Sequence, residues 1–252
     1  MLHGLYSSAQ GAIVQSRRLA VTANNIANAG TTSFKRDLPL TGELPLFDEL
    51  LGRGLGDLPN GLENHLGALA VQEVHTDFAD GPLQPTGQPL DVALRGPGFF
   101  RVSDGETEFL TRDGSFTINA EGTLVMTDGG RAVLDAQGLP IDIPPAATQL
   151  AIGASGTISD LNLGPLADVA IVLPPAPPTK LGDSLYAAPE DFDRIDPALT
   201  RLVSGHLEAS GVEPTTEMIA MVETSRAFEM NLTMLQTQDH SLGQLLDAAA
   251  RV

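Results

Sequence analysis

The chain has 252 residues, 42 % of them hydrophobic, enough for one large domain or two modest ones. Lys plus Arg total 14 against 32 Asp plus Glu, a formal charge of −18, and such a surface repels phosphate backbones, so nucleic acid is not an expected partner. With no Cys, disulfides and thiolate zinc sites are excluded, and with no Trp and only two Tyr the core must come from Leu, Val, Ile and Ala.

The N-terminus, Met1-Leu2-His3-Gly4-Leu5-Tyr6-Ser7-Ser8, has no basic segment followed by an apolar block, so a secretory signal is not expected there. Export would need a route without a cleaved signal. No apolar run approaches the ~20 residues of a membrane span. Apolar or small residues recur at Leu2, Leu5, Ala9, Ala12, Ser16, Leu19, Ala23 and Ile26, in steps of three and four that match a coiled-coil seam. This predicts a first helix over Leu2 to Ile26, ending near Gly30 in a left-handed cap.

Residues 37–74 read as an extended linker. A glycine-rich stretch from Gly52 to Gly61 lies within it and has no phosphate-loop Lys-Ser/Thr pair. Residues 75–206 read as short strands. Val92 and Leu94, Phe99 to Val102, Phe109, Phe116 and Ile118, Leu124 and Val125, and Val133 and Leu134 are separated by turn pairs. These are Asp104-Gly105, Asp113-Gly114, Glu121-Gly122, Asp128-Gly129 and Gln137-Gly138, which accept positive φ and close hairpins. Their even spacing predicts an antiparallel barrel or sandwich, with Pro174 to Pro178 as a stiff extended crossing.

A second helix is expected over Met218 to Ala249, with Pro214 in the first turn and Glu213 and Glu217 near the positive end of the helix dipole. Its seam would run through Met218, Met221, Ser225, Phe228, Leu232, Leu235, Asp239, Leu242, Leu246 and Ala249. The fold class is therefore α+β. Residues 1–36 with 207–252 would form a discontinuous helical domain, and a central all-β domain would sit between them in sequence.

Chemistry for catalysis is not evident. His3, His65, His75, His206 and His240 form no His-Glu-x-x-His pair, no Gly-x-Ser-x-Gly elbow occurs, and Asp191, Asp193 and Asp196 lack the offsets of an EF-hand. No catalytic residue, cofactor, metal or small-molecule substrate is expected.

Four stretches, in order, resemble the flagellar rod and hook protein family. Ala20 to Arg36 (AVTANNIANAGTTSFKR) is similar to its N-terminal signature. Asp91 to Phe100 and Thr111 to Phe116 are similar to its β domain. Gly205 to Val212, with Glu217 to Ile219 and Arg226 to Glu229, is similar to its C-terminal signature. Ser33 stands where the family usually has Gly, Gly211 where Asn is usual, and Ser225 where Gln is usual. The resemblance implies an axial structural subunit of the bacterial flagellar basal body, most like the proximal-rod members, with distal-rod or hook-type members next. It implies polymerisation through the terminal helices with other copies and neighbouring rod proteins. It also implies passage through the flagellar export apparatus to the periplasmic rod. The expected assembly residues are Leu5, Ala9, Ala12, Leu19, Ala23, Asn24, Asn25, Ile26, Asn28, Met218, Met221, Phe228, Leu232, Leu235, Leu242 and Leu246. Two readings of other classes stay open at this point: a secreted acidic β-rich binding module and an exported cell-wall hydrolase.

Overall fold

The computed structural model describes residues 2–43, 69–147, 149–189, 193–194 and 200–249. The Gly52 to Gly61 stretch, Asp191 and Asp196 lie outside the described residues. The chain is α+β and divides into two compact units, one of residues 1–27, 36–77 and 212–252, the other of residues 28–35 and 78–211.

The first unit holds both helices. Helix α1 spans Leu2–Ala27 and helix α2 spans Pro214–Ala249. Proline opens α2 because its missing N–H is one that no helix start can satisfy internally. The Glu213 carbonyl accepts the Glu217 N–H at 3.1 Å, closing the first turn, and Glu213 Oε2 accepts from Thr216 Oγ at 2.9 Å. The helices pack antiparallel: Gly11 faces Asn231 and Asn25 faces Glu217. Two strands, Asp37–Glu43 and Leu69–Thr76, pair antiparallel with a register shift between Leu40 and Thr41. These are the two ends of the stretch read as linker, and they also pack on α1.

The second unit is antiparallel β. Its largest sheet runs in the order Lys180–Gly182, Leu185–Ala187, Glu108–Thr111, Phe99–Ser103, Ala132–Val133, Leu124–Met126, Phe116–Ile118, with Ile171–Leu173 also on Phe99–Ser103. Strand Phe99–Ser103 shows the period-two rule directly. Phe100 and Val102 enter the main core with Val92, Leu94, Phe116, Leu124 and Ile158. Phe99 turns the other way and joins Leu110, Val172 and Tyr186. Phe78, Phe99 and Tyr186 stack there with ring centroids 5.3–5.8 Å apart. The expected barrel is not closed among the described residues. The two outer strands of the path, Lys180–Gly182 and Phe116–Ile118, do not pair, and a separate three-stranded sheet of Leu150–Ile152, Thr157–Asp160 and Gly164–Asp168 stands beside it.

The turn pairs separate by mechanism. Gly105, Gly122, Gly129 and Gly138 have positive φ, as hairpin turns require. Gly114 does not. A Cβ there would lie 1.8 Å from the Val92 carbonyl oxygen, so glycine is needed for close backbone approach. Gly30, expected as the left-handed cap, is not left-handed either. That conformation falls to Ser33, at φ 55°.

Candidate assembly interface

The inner face of the helix pair is small and polar on α1 and mixed on α2. On α1 it comprises Ser8, Ala12, Thr22 and Asn25, all buried. On α2 it runs from buried Glu217 through half-buried Met221, Thr224, Phe228, Asn231, Leu235, Gln238 and Leu242, again in steps of three and four. Met221, Phe228, Leu235 and Leu242 of the expected α2 seam lie on this face, while Met218, Leu232 and Asp239 each stand one position past the inward Glu217, Asn231 and Gln238. Glu217 is 2 % exposed, while Met218 beside it is 50 % exposed. The reason is chemical. Glu217 has specific partners in this unit: its Oε1 accepts from Arg36 Nε at 2.6 Å and its Oε2 faces Asn25 Nδ2 at 3.4 Å. A charge so paired can be buried, and it turns Met218 outward. Close approach depends on Gly11, where a Cβ would sit 3.0 Å from Asn231 Oδ1. Thr224 is accommodated because its hydroxyl donates to the Ala220 carbonyl one turn back at 2.7 Å.

Of the expected interface residues, Ala12 and Asn25 are buried within the chain. Ala9, Leu19, Ala23, Ile26, Asn28, Met221, Phe228, Leu235 and Leu242 are half-buried. Asn24, Met218 and Leu232 are exposed, and the side chains of Leu5 and Leu246 lie outside the described residues. The pair also exposes Ile13, Ile219, Val222, Met230 and Met234. Asn25 is explained by geometry: its Nδ2 donates to the Asp37 carbonyl at 2.8 Å and its Oδ1 accepts the Asp37 N–H at 3.0 Å. The amide imitates a strand edge and fixes where the chain enters strand Asp37–Glu43.

In the second unit, residues 28–35 are held by a buried ionic cluster. Lys35, 1 % exposed, donates to Glu208 Oε1 at 2.5 Å and to the Ala79 carbonyl at 2.8 Å. The same Glu208 oxygen accepts the Gly81 N–H at 2.6 Å. Arg112 Nη1 bonds Asp80 at 3.1 Å and lies 3.7 Å from Glu208 Oε2. Burial pulls the Lys35 ammonium below its ordinary pKa, and the Glu208 carboxylate opposes that pull. Ser33 is fully buried. Its N–H donates to the Glu208 carbonyl and its hydroxyl to the Arg112 carbonyl, each at 2.8 Å. Those two bonds hold a non-glycine residue in the left-handed region.

Three family models match the chain: "Flagella basal body rod protein" over residues 5–35, "Flagellar hook protein FlgE/F/G D1 domain" over 93–160, and "Flagellar basal body rod FlgEFG protein C-terminal" over 203–248. A flagellar basal-body rod protein FlgF of Caulobacter vibrioides is 34 % identical over 93 % of both chains. A FlgG of Buchnera aphidicola (subsp. Schizaphis graminum) is 31 % identical over 97 % of this chain and 99 % of its own. The chain belongs to the flagellar basal-body rod protein family. The Escherichia coli FlgF is a further relative, 30 % identical over 97 % of each chain.

In this rod-family chain the matched N-terminal segment comprises most of α1 and residues 28–35, and the matched C-terminal segment contains Glu208, Glu217 and most of α2. Within each unit, then, the two termini meet through charge: Arg36 with Glu217 in one, Lys35 with Glu208 in the other. Sequence reasoning did not select Lys35, Arg112 and Glu208 as a cluster. Each is an ion inside a short signature stretch, and the signal available was a charge set among residues that otherwise read as packed.

Proposed function

We propose that this chain is a structural subunit of the flagellar basal-body rod, without catalytic activity of its own, and that it polymerises through its terminal helices. The observation that carries this reading is the helix pair. Its mutual face mixes small and polar groups with Met221, Phe228, Leu235 and Leu242, while Met218, Ile219, Val222, Met230, Leu232 and Met234 stay exposed on the same helix. A lone molecule gains little from such a pair, since the apolar area that would stabilise it remains in water. Neighbouring copies and related axial proteins cover it by heterologous contacts, which propagate along a helical tube in place of closing as a dimer. Coiled-coil packing belongs to that assembled state.

In this reading the helix pair, within residues 1–27 and 212–252, builds the axial core. The subunit reaches the periplasmic rod through the flagellar export apparatus. A proximal-rod position is the reading we take, with a distal-rod position as the alternative, and both FlgF and FlgG relatives match the chain over nearly its whole length. Replacing Met230 and Met234, both exposed and one turn apart, together by Asp tests the reading, because unpaired charge in a buried contact costs several kcal/mol, roughly 3–5 by analogy with broken buried pairs. The variant is expected to keep a folded β unit, read by amide exchange, and to be absent from purified basal bodies. Normal incorporation contradicts the assignment of this face to assembly.

A further inference from the structure

Among the described residues, three that are not glycine have positive φ: Ser33 at 55°, Asp183 at 51° and Ser184 at 55°. All three belong to the β unit, and they lie on the two sides of one contact. The left-handed region crowds a Cβ against the following carbonyl, so such residues persist only where their surroundings hold them. Asp183 and Ser184 are the two loop residues of the hairpin that joins Lys180–Gly182 to Leu185–Ala187, with Gly182 opposite Leu185. Glycine is the usual second residue of a two-residue hairpin turn with positive φ at both positions. Here Ser184 takes that place. Its hydroxyl donates to the Thr32 carbonyl at 3.0 Å, and its own carbonyl accepts from Thr111 Oγ1 at 2.9 Å.

On the other side of the contact, Ser33 is held by its bonds to the Glu208 and Arg112 carbonyls, and the Phe34 carbonyl accepts the Gly211 N–H at 2.8 Å. Lys180 closes over both residues that follow Ser33. Its Nζ donates to the Lys35 carbonyl at 2.7 Å and stands 3.7 Å from the centre of the Phe34 ring. Strain on each side is thus offset by bonds from the other, and lifting either side strips the second of its support. The hairpin is also placed to part without breaking the core. Lys180–Gly182 is the outermost strand of its sheet path, with Leu181 and Asp183 exposed, while Leu185 and Tyr186 on the inner arm are built into the two apolar clusters.

We propose that residues 28–35 and the outer hairpin arm Thr179–Ser184 form a two-state latch on the β unit, opening and closing as one piece while the sheet core stays folded. Opening releases residues 28–35 as free chain with a reach of roughly 25 Å, at ~3.3 Å per residue. Residue 27 before this stretch and residue 36 after it belong to the first unit, so the latch decides whether the stretch is part of the β unit or free connecting chain. The latch follows from the β unit alone and stands apart from the rod reading.

The test is residue-resolved amide exchange of the full-length chain in dilute solution. Ser33 and Gly211 report the segment side. Ala187, whose N–H donates to the Thr179 carbonyl at 2.9 Å, reports the hairpin side, and Leu134, which donates to the Arg101 carbonyl, reports the core. The first three are expected to share one opening equilibrium and to exchange faster than Leu134. Ser33→Ala removes a buried bond to Arg112 and is expected to speed all three by about tenfold, Ala187 included, with Leu134 unchanged. Acceleration confined to Ser33 and Gly211 means two independent contacts and overturns the latch. Equal exchange of all four amides in the native chain also overturns it, since the segment then opens only with the whole unit. If Ser33→Ala does not fold, Asp183→Gly decides. Relief of strain at that exposed turn residue is expected to slow exchange at Ser33 and Gly211 by about twofold or more, and unchanged rates there overturn the proposal.

Discussion

Lys35 shows how single residues anchor this chain. Its ammonium is removed from water and survives because Glu208 and the Ala79 carbonyl surround it. Lys35→Met would leave the Glu208 carboxylate buried with only Arg112, 3.7 Å away, and the Gly81 N–H. Breaking one side of such a pair costs about 3–5 kcal/mol. Chemical denaturation of the full chain is expected to show that loss in the β unit. A loss under about 1 kcal/mol means the cluster is solvated in solution. Asp113 supplies a pH signature. Burial raises its carboxyl above the ordinary value of 3.8, and the bonds from Ser115 offset only part of that rise. The folded state therefore binds this proton at a higher pH than the unfolded state does. Stability from this group is gained as pH falls through the folded value towards 3.8 and is lost as pH rises back through that window. Asp113→Asn removes the dependence: the stability of the native chain relative to the variant is expected to fall with rising pH there. A flat difference contradicts the assigned direction. Neither residue was legible as a buried ion in the sequence, because burial of a charge is decided by partners distant in the chain, here 173 positions away for Lys35 and Glu208.

At the scale of elements, the existence of both helices and of a β-rich body was legible, because each periodicity reports local geometry. On α2 the expected seam meets the inner face at Met221, Phe228, Leu235 and Leu242 but not at Met218, because hydropathy ranks Met218 above Glu217 and only the Arg36 and Asn25 partners reverse that order. Asn25 shows the opposite case: three asparagines at a helix end signal hydrogen bonding, and Asn25 bonds Asp37 at the handover. Gly114 was read as a turn residue, but tertiary contact controls it. Gly114→Ala drives a Cβ into the Val92 carbonyl, at a cost of about 3 kcal/mol or more. Gly153→Ala, whose Cβ would meet nothing nearer than 3.5 Å, is expected to be neutral or slightly stabilising, by up to about 1 kcal/mol. Thermal unfolding of the two variants side by side checks the contrast, and equal midpoints contradict it.

For the whole molecule, stability is distributed unevenly. The β unit holds a continuous core of fully buried Leu, Ile, Val, Phe and Met side chains. Among the described residues the helix pair holds few buried apolar groups and many exposed ones. Local opening free energy follows buried apolar contact, so the helices should open easily in a monomer and gain protection in the polymer. The most direct test compares amide hydrogen exchange of the dilute full-length monomer with that of the same chain in purified basal bodies. The account predicts fast exchange across residues 8–26 and 218–242 in the monomer, and at least a hundredfold slowing of both segments in the basal body, while strands such as Phe99–Ser103 are protected in both. Terminal helices already as protected in the monomer as in the assembly would contradict it.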